Sequence, residues 1–210
     1  MHLISESFDH GRPMPARLAF ARPDAATRVT LSDNRNPHLR WDDVPVGTRS
    51  FVIICVDPDA PTVADDVNQD GRTVPADLPR GDFHHWVLVD VPAECREIVE
   101  GACSDAVTPG GKADPPGPAG SRQGSNDYGG WFAGDPDMAG DYRGYDGPGP
   151  PWNDERPHRY HFRVFATDLD HSPVEAPFGA AEACAAIEGH VLAGAELTGL
   201  YTLNPAVSIP

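Results

Sequence analysis

Asp57-Pro58-Asp59-Ala60-Pro61, His84-His85-Trp86, and Gly149-Pro150-Pro151 leading to His158-Arg159-Tyr160 carry the residue types that hold a small charged group: carboxylates, imidazoles, a phenol and rigid turns. Each polar group stands at the end of a β-like run. Side chains alternate faces along a strand, so His158 and Tyr160 point the same way as Phe162 and Val164, while Arg159, His161 and Arg163 point the other. The same count places His85 with Phe83, Val87 and Val89. With the strand ends as neighbours, Asp57, His85, His158 and Tyr160 converge on one concave pocket walled by prolines, a setting for a small oxyanion.

In that pocket His85 and His158 serve as anion donors of tunable charge, and Tyr160 adds a hydroxyl. Turn amides around Gly149 add backbone donors where they converge. Asp57 either fixes a histidine tautomer and raises its basicity or meets a cationic head group. Asp59 is expected to brace its own loop by accepting nearby amides. Arg159 reads as the ion-pair partner of an aspartate, and His84 and His161 as structural histidines satisfied by neighbours.

The elements that must position these groups are mostly strands. Ser50 to Val56 is β-branched and apolar on both faces, hence a central strand, and it is expected to stop at Asp57-Pro58. Phe83 to Asp90 is a second strand, closed by Pro92, and Arg159 to Ala166 a third. Shorter candidates lie at Arg17 to Phe20 and Arg28 to Leu31, and Glu94 to Cys103 is a short helix or another strand. Alanine content and the spacing of Ile187, Val191, Leu192 and Ala195 predict one helix over Ala180 to Tyr201. Between Ser104 and Pro157 lies a long Gly/Pro/Asp-rich connection whose aromatics, Tyr128, Trp131, Phe132, Tyr142, Tyr145 and Trp152, point to a loop packed on the body.

Composition sets outer limits. The chain has 210 residues, 40% of them apolar, enough for one all-β domain spanning 1–210. Its net charge of −16, with Lys112 the only lysine, argues against nucleic acid or an anionic bilayer as partner. No signal-like opening and no membrane-length apolar stretch occurs, so the expected location is cytoplasmic. Cys55 sits in an apolar run as a buried hydrophobe. Cys95, Cys103 and Cys184 lack metal-type spacing, and a Cys95–Cys103 bridge is left open.

Asp66-Val67-Asn68-Gln69-Asp70-Gly71 reads as D-x-N-x-D-G, with Asp77 where a calcium loop places its last carboxylate. Against calcium, the run lacks flanking helices and Pro75 interrupts it, which leaves an ordinary Asp/Asn turn as the competing reading.

Taken in order, the strings D-P-D-A-P, H-H, G-P-P and H-R-Y resemble the phosphatidylethanolamine-binding protein (PEBP) family, and within it the bacterial Raf-kinase-inhibitor-like, YbhB/YbcL-type branch. Asp65 to Gln69, Pro75 to Arg80 and Gly189 to Ala193 add to the resemblance. It implies a mainly β, PEBP-like sandwich: a large central sheet, a smaller antiparallel sheet on one face and helix on the other. It also implies a pocket for phosphate-like head groups formed by Asp57, His85, Pro150, His158 and Tyr160, supported by Asp59, Phe83 and Gly149. Phe83 and Gly81 stand where animal members carry tryptophan and tyrosine.

The function read from these residues is non-catalytic binding of a small anion or phospho head group, with regulation of a partner protein as a further expectation, by a monomer or homodimer with no cofactor. The alternatives are a hydrolase or metal-assisted enzyme using the Asp/His pocket, and a protease- or kinase-inhibitor-like interaction protein. Against the enzyme, no G-x-S-x-G elbow occurs and no Ser or Cys falls within the three motifs.

Overall fold

The computed structural model describes residues 1–209. In chain order its strands are β1 (His2–Ile4), β2 (Arg12–Pro13), β3 (Ala21–Asp24), β4 (Arg28–Leu31), β5 (Leu39–Asp42), β6 (Ser50–Pro61), β7 (Arg80–Pro92), β8 (Glu97–Ile98), β9 (Arg122–Gln123), β10 (His158–Thr167) and β11 (Val191–Tyr201). Two short helices join them, α1 (Tyr128–Trp131) and α2 (Ala180–Ala186).

The apolar run of β6 is buried on both faces because it lies inside the large sheet, whose order is β2-β11-β10-β6-β7-β9. On one face Phe51, Ile53, Cys55, Trp86, Leu88, Phe162 and Val164 pack against Leu3, Leu39, Trp41 and Ile98 of the small β1-β5-β8 sheet. On the other, Val52, Ile54, Val87 and Val89 meet Phe178, Ala180, Ala183 and Ile187 around α2. Two sheets and a helix thus enclose separate apolar layers, the layered arrangement of a β-sandwich with minor helix.

Four expectations need correction. The helix expected over Ala180 to Tyr201 ends at Ala186; the chain turns at Gly189, φ +80°, and continues as β11, paired with β10 from His158↔Tyr201 to Thr167↔Val191. Alanine propensity was overridden by the ladder that β10 requires on its second edge, and Gly194 and Gly199 fit that strand better than a helix interior. Arg17 to Phe20 is not a strand: Ala16–Leu18 forms a 3₁₀ turn after Pro15. β6 does not stop at Asp57-Pro58. It bulges there, and pairing resumes at Ala60↔Gly81, with Pro58 placed where the ladder is already broken.

The fourth concerns His85. Cys55 faces Trp86 while Val56 faces His84, so His85 is the extra residue of a bulge in β7. Alternation fails at that point: His85 meets Tyr160 and Phe83, whereas Val87 and Val89 point to the opposite layer. The region between Glu94 and Cys103 contributes only β8, and all four cysteines are free. Of the long connection's aromatics, Tyr128, Tyr142 and Tyr145 are buried, while Trp131 stays 48% exposed.

Candidate functional site

The two bulges and the turn before β10 bring the predicted residues round one cavity of about 90 Å³. Asp57, Phe83, His85, Gly149, Pro150, His158 and Tyr160 all line it, joined by Ala60, Pro61, Val67, Asn68, Tyr128, Trp131 and Pro151. Asp57 and Tyr160 enter from adjacent central strands, and the His85 bulge supplies the third side. Space for a few water-sized groups fits a compact head group.

His158 does not serve as a free donor, contrary to the expectation from sequence. Its Nδ1–H donates to Asp57 Oδ2 at 2.7 Å and its Nε2–H to Asp154 Oδ2 at 3.0 Å, which requires the imidazolium. Burial of this ring, 1% exposed, opposes the charge; Asp57 and Asp154 override it and raise the pKa to about 9. Asp154 is clamped in turn by Arg80, whose Nη1 and Nη2 reach its two oxygens at 2.5 and 3.0 Å. Arg80 also donates to the carbonyls of Asp59, Pro75 and Leu78, so its fork is saturated. Burial would raise the Asp154 carboxyl, but His158 and Arg80 hold it below the usual range.

Asp57 holds His158 and raises its basicity as expected, and it also takes the loop-bracing role expected of Asp59. Asp57 Oδ1 accepts the amide of Asp59, closing the bulge around Pro58, whereas Asp59 accepts from Arg159 N and Nε and from Arg156 Nη2. Burial would raise the Asp59 carboxyl; the Arg159 hydrogen bonds and both guanidinium charges lower it. Asp59 is not part of the cavity lining and anchors the start of β10 to the β6 bulge, and Arg159 is the structural ion-pair partner that strand parity indicated.

His85 and Tyr160 are the polar side chains left free at the cavity's inner end. His85 Nδ1 lies 2.7 Å from the carbonyl oxygen of Asp146, which can only accept; the proton therefore sits on Nδ1 and Nε2 has no protein partner. Burial holds this histidine below its ordinary pKa even though Asp57, Asp127 and Asp146 pull upward, so the ring is neutral at neutral pH. The Tyr160 hydroxyl is fully buried with no hydrogen-bond partner. Burial, with the nearby charge of Asp57, raises its pKa well above the ordinary value and keeps it a donor.

The Asp146 carbonyl is itself fixed. Lys112 Nζ and Asn34 Nδ2 approach Asp146 Oδ1 at 2.5 and 2.7 Å, and Asn126 Nδ2 donates to Oδ2 at 2.8 Å. Tyr128, missed as a site residue because it lies in the long connection, covers the cavity from α1. Its hydroxyl donates to Gly147 O, and a Cβ on Gly149 would stand 2.6 Å from the Tyr128 hydroxyl oxygen. A larger residue there would have to displace the Tyr128 hydroxyl.

His84 pairs with Asp127 and His161 with Glu196. The calcium-loop residues are not gathered together: Asp66 pairs with Arg72, Asp70 with Arg28, and Asn68 accepts the amide of Trp152. Among the described residues, the one group of three His, Cys, Asp or Glu side chains spaced to share an ion is His2, Asp42 and Asp43, remote in sequence from these motifs.

A large sheet backed by a smaller one, with a strand-end pocket of Asp, His and Tyr, defines a ligand-binding β-sandwich. The phosphatidylethanolamine-binding protein family profile matches residues 4–202, and the chain belongs to that family. UPF0098 protein YbhB of Escherichia coli K12 is 32% identical over 202 residues, covering 96% of this chain and 100% of the relative. A UPF0098 protein of Aquifex aeolicus is 30% identical over 203 residues, covering 96% and 88%. Among solved structures, Escherichia coli YbcL superposes with a TM-score of 0.68 at 26% identity, over 96% of this chain and 97% of that one. The homologue CT736 of Chlamydia trachomatis gives 0.64 at 26% identity, with 95% of each chain covered. Among the described residues no helix is long and apolar enough to cross a membrane.

Proposed function

We propose that this chain is a non-catalytic binding protein whose cavity takes a phosphate-like head group, held by Tyr160 and His85 over a floor neutralised from within. The observation that carries the reading is the buried, unpartnered Tyr160 hydroxyl in the same cavity as His85, whose Nε2 is free and whose ring centroid lies 5.1 Å from that of Tyr160. A buried donor without a partner costs roughly 1–3 kcal/mol, a cost that a ligand oxygen relieves. His158 and Asp57 shape the floor: their opposite charges cancel, so the cavity presents oriented groups and little net field. The lining contains no Ser, Thr, Cys or Lys, both oxygens of Asp57 are engaged by Asp59 N and His158, and Tyr160 stays protonated, which supports binding without a covalent step.

Calorimetric titration with inorganic phosphate near about pH 6, where the doubly protonated ion dominates, tests this. The wild type is expected to bind, and Tyr160→Phe to bind about tenfold more weakly with its fold intact, the loss of one hydrogen bond of ~1.4 kcal/mol. Absence of phosphate binding by the wild type overturns the proposal.

A further inference from the structure

One wall of the cavity is a strap, Tyr145 to Pro151, that serves the site through its backbone. The Asp146 carbonyl accepts from His85 Nδ1 at 2.7 Å, and the Asp146 N–H donates back to the His85 carbonyl at 2.9 Å. The Gly147 carbonyl accepts the Tyr128 hydroxyl, and the Gly149 N–H has no partner among the described residues. The direction of the Asp146 peptide therefore decides which nitrogen of His85 carries the proton and which faces the cavity.

The strap has a single charged side chain, and it is buried: Asp146 is 1% exposed. Asn34 and Asn126 donate to its two oxygens, while their own carbonyls take the N–H groups of Gly147 and Tyr128. Both are neutral, so the compensating charge comes from Lys112 alone, the one cation paired with Asp146 among the described residues. Lys112 Nζ lies 2.5 Å from Asp146 Oδ1 and 3.0 Å from the Tyr145 carbonyl, and Lys112 is the only lysine of the chain. It reaches the strap because two stretches of backbone meet there without side chains between them. Gly111 has φ +82°, and a Cβ on Gly111 or Gly140 would overlap the carbonyl of Asp141 or Gly110.

Resting on the head-group reading above, we infer that Lys112 is a positioning residue for the cavity: it is not part of the lining, yet its ammonium fixes the Asp146 peptide and through it the tautomer of His85 and the place of the Gly149 N–H. Without that charge the buried carboxylate keeps two amide donors and no cation, a state that burial penalises heavily. Asp146 escapes it by turning toward solvent or by taking up a proton, and either move draws its carbonyl away from His85 Nδ1. The ring is then free to carry its proton on Nε2. An unrelieved carboxylate would in addition repel any anion entering the cavity.

The test is calorimetry with inorganic phosphate on the full chain, combined with side-chain ¹⁵N NMR of His85. Lys112→Met is expected to bind phosphate at least about tenfold more weakly than the wild type and to lose the single Nδ1–H signature of His85. Lys112→Arg, which keeps a permanent cation at the same place, is expected to recover most of both. A lysine that merely supports the fold gives a different result: a lowered urea midpoint in Lys112→Met with wild-type phosphate affinity and an unchanged His85 tautomer overturns the inference. The wild type supplies a second reading that needs no variant to fold. Acetic anhydride modifies Lys112 as the one lysine, and saturating phosphate is expected to slow that modification about fivefold or more relative to chloride at equal ionic strength. Equal rates with phosphate bound overturn the inference while leaving the head-group pocket standing. If the wild type binds no phosphate, the head-group reading falls and this one with it.

Discussion

Raising the pH from about 6.5 to about 9 should destabilise this protein through one residue. In the unfolded chain His158 loses its proton near 6.5; in the folded chain, between Asp57 and Asp154, it keeps it until about 9. Over that window the native state holds more protons than the unfolded state, so stability is full below about 6.5 and falls as pH rises. At ~1.4 kcal/mol per pH unit the total is ~3 kcal/mol, a large share of the 5–15 kcal/mol typical of a domain. Urea unfolding followed by fluorescence reads this directly, since Trp41 and Trp86 are fully buried. The midpoint should drop steadily across the window with an unchanged denaturant slope. His85 acts on the other flank: its lowered pKa means that stability is present above about 6.5 and lost below it. A midpoint that stays flat or rises between 6.5 and 9 would refute the double carboxylate lock on His158. In His158→Gln the slope in this window should vanish, whatever the variant's absolute stability.

Two other variants probe the supports of the cavity. Arg80→Met leaves Asp154 buried with only His158 as cationic partner and strands three carbonyls; a loss of about 3–5 kcal/mol in chemical denaturation is expected, and a loss below about 1 kcal/mol would show the clamp to be incidental. Gly149→Ala pushes a methyl group onto the Tyr128 hydroxyl and should weaken phosphate binding more than it weakens the fold, seen as a binding loss in calorimetry with a thermal midpoint within a few degrees of wild type.

The sandwich was legible because its three central strands carry their signals locally: an apolar run buried on both sides, and alternation that holds over Tyr160, Phe162 and Val164. The convergence of Asp57, His85, His158 and Tyr160 followed from strand ends plus ordered motifs. What failed was local geometry set by distant partners. The His85 bulge has no signature in β7 itself, since it exists only relative to β6, and it reversed the side chain's assigned neighbours. The saturation of His158 depends on Asp154 in the preceding turn and on Arg80 at the start of another strand, a pairing that no spacing rule encodes. Tyr128 was hidden for the same reason. The β11 segment misled because Ala-rich composition speaks for a helix until a neighbouring strand offers its edge.

The positive charges nearest the cavity are already paired with carboxylates. Arg80, Arg156, Arg159 and Lys112 brace aspartates around the cavity, while the chain as a whole stands at −16. An anion approaching from solution therefore meets a repulsive field before it reaches Tyr160. Encounter is uphill at distance and favourable only at contact, so added salt, which shortens the Debye length from ~30 Å in dilute buffer to ~8 Å at physiological strength, speeds association. Most anion receptors capture their ligands more slowly as salt rises; under the proposed head-group reading this chain should load faster.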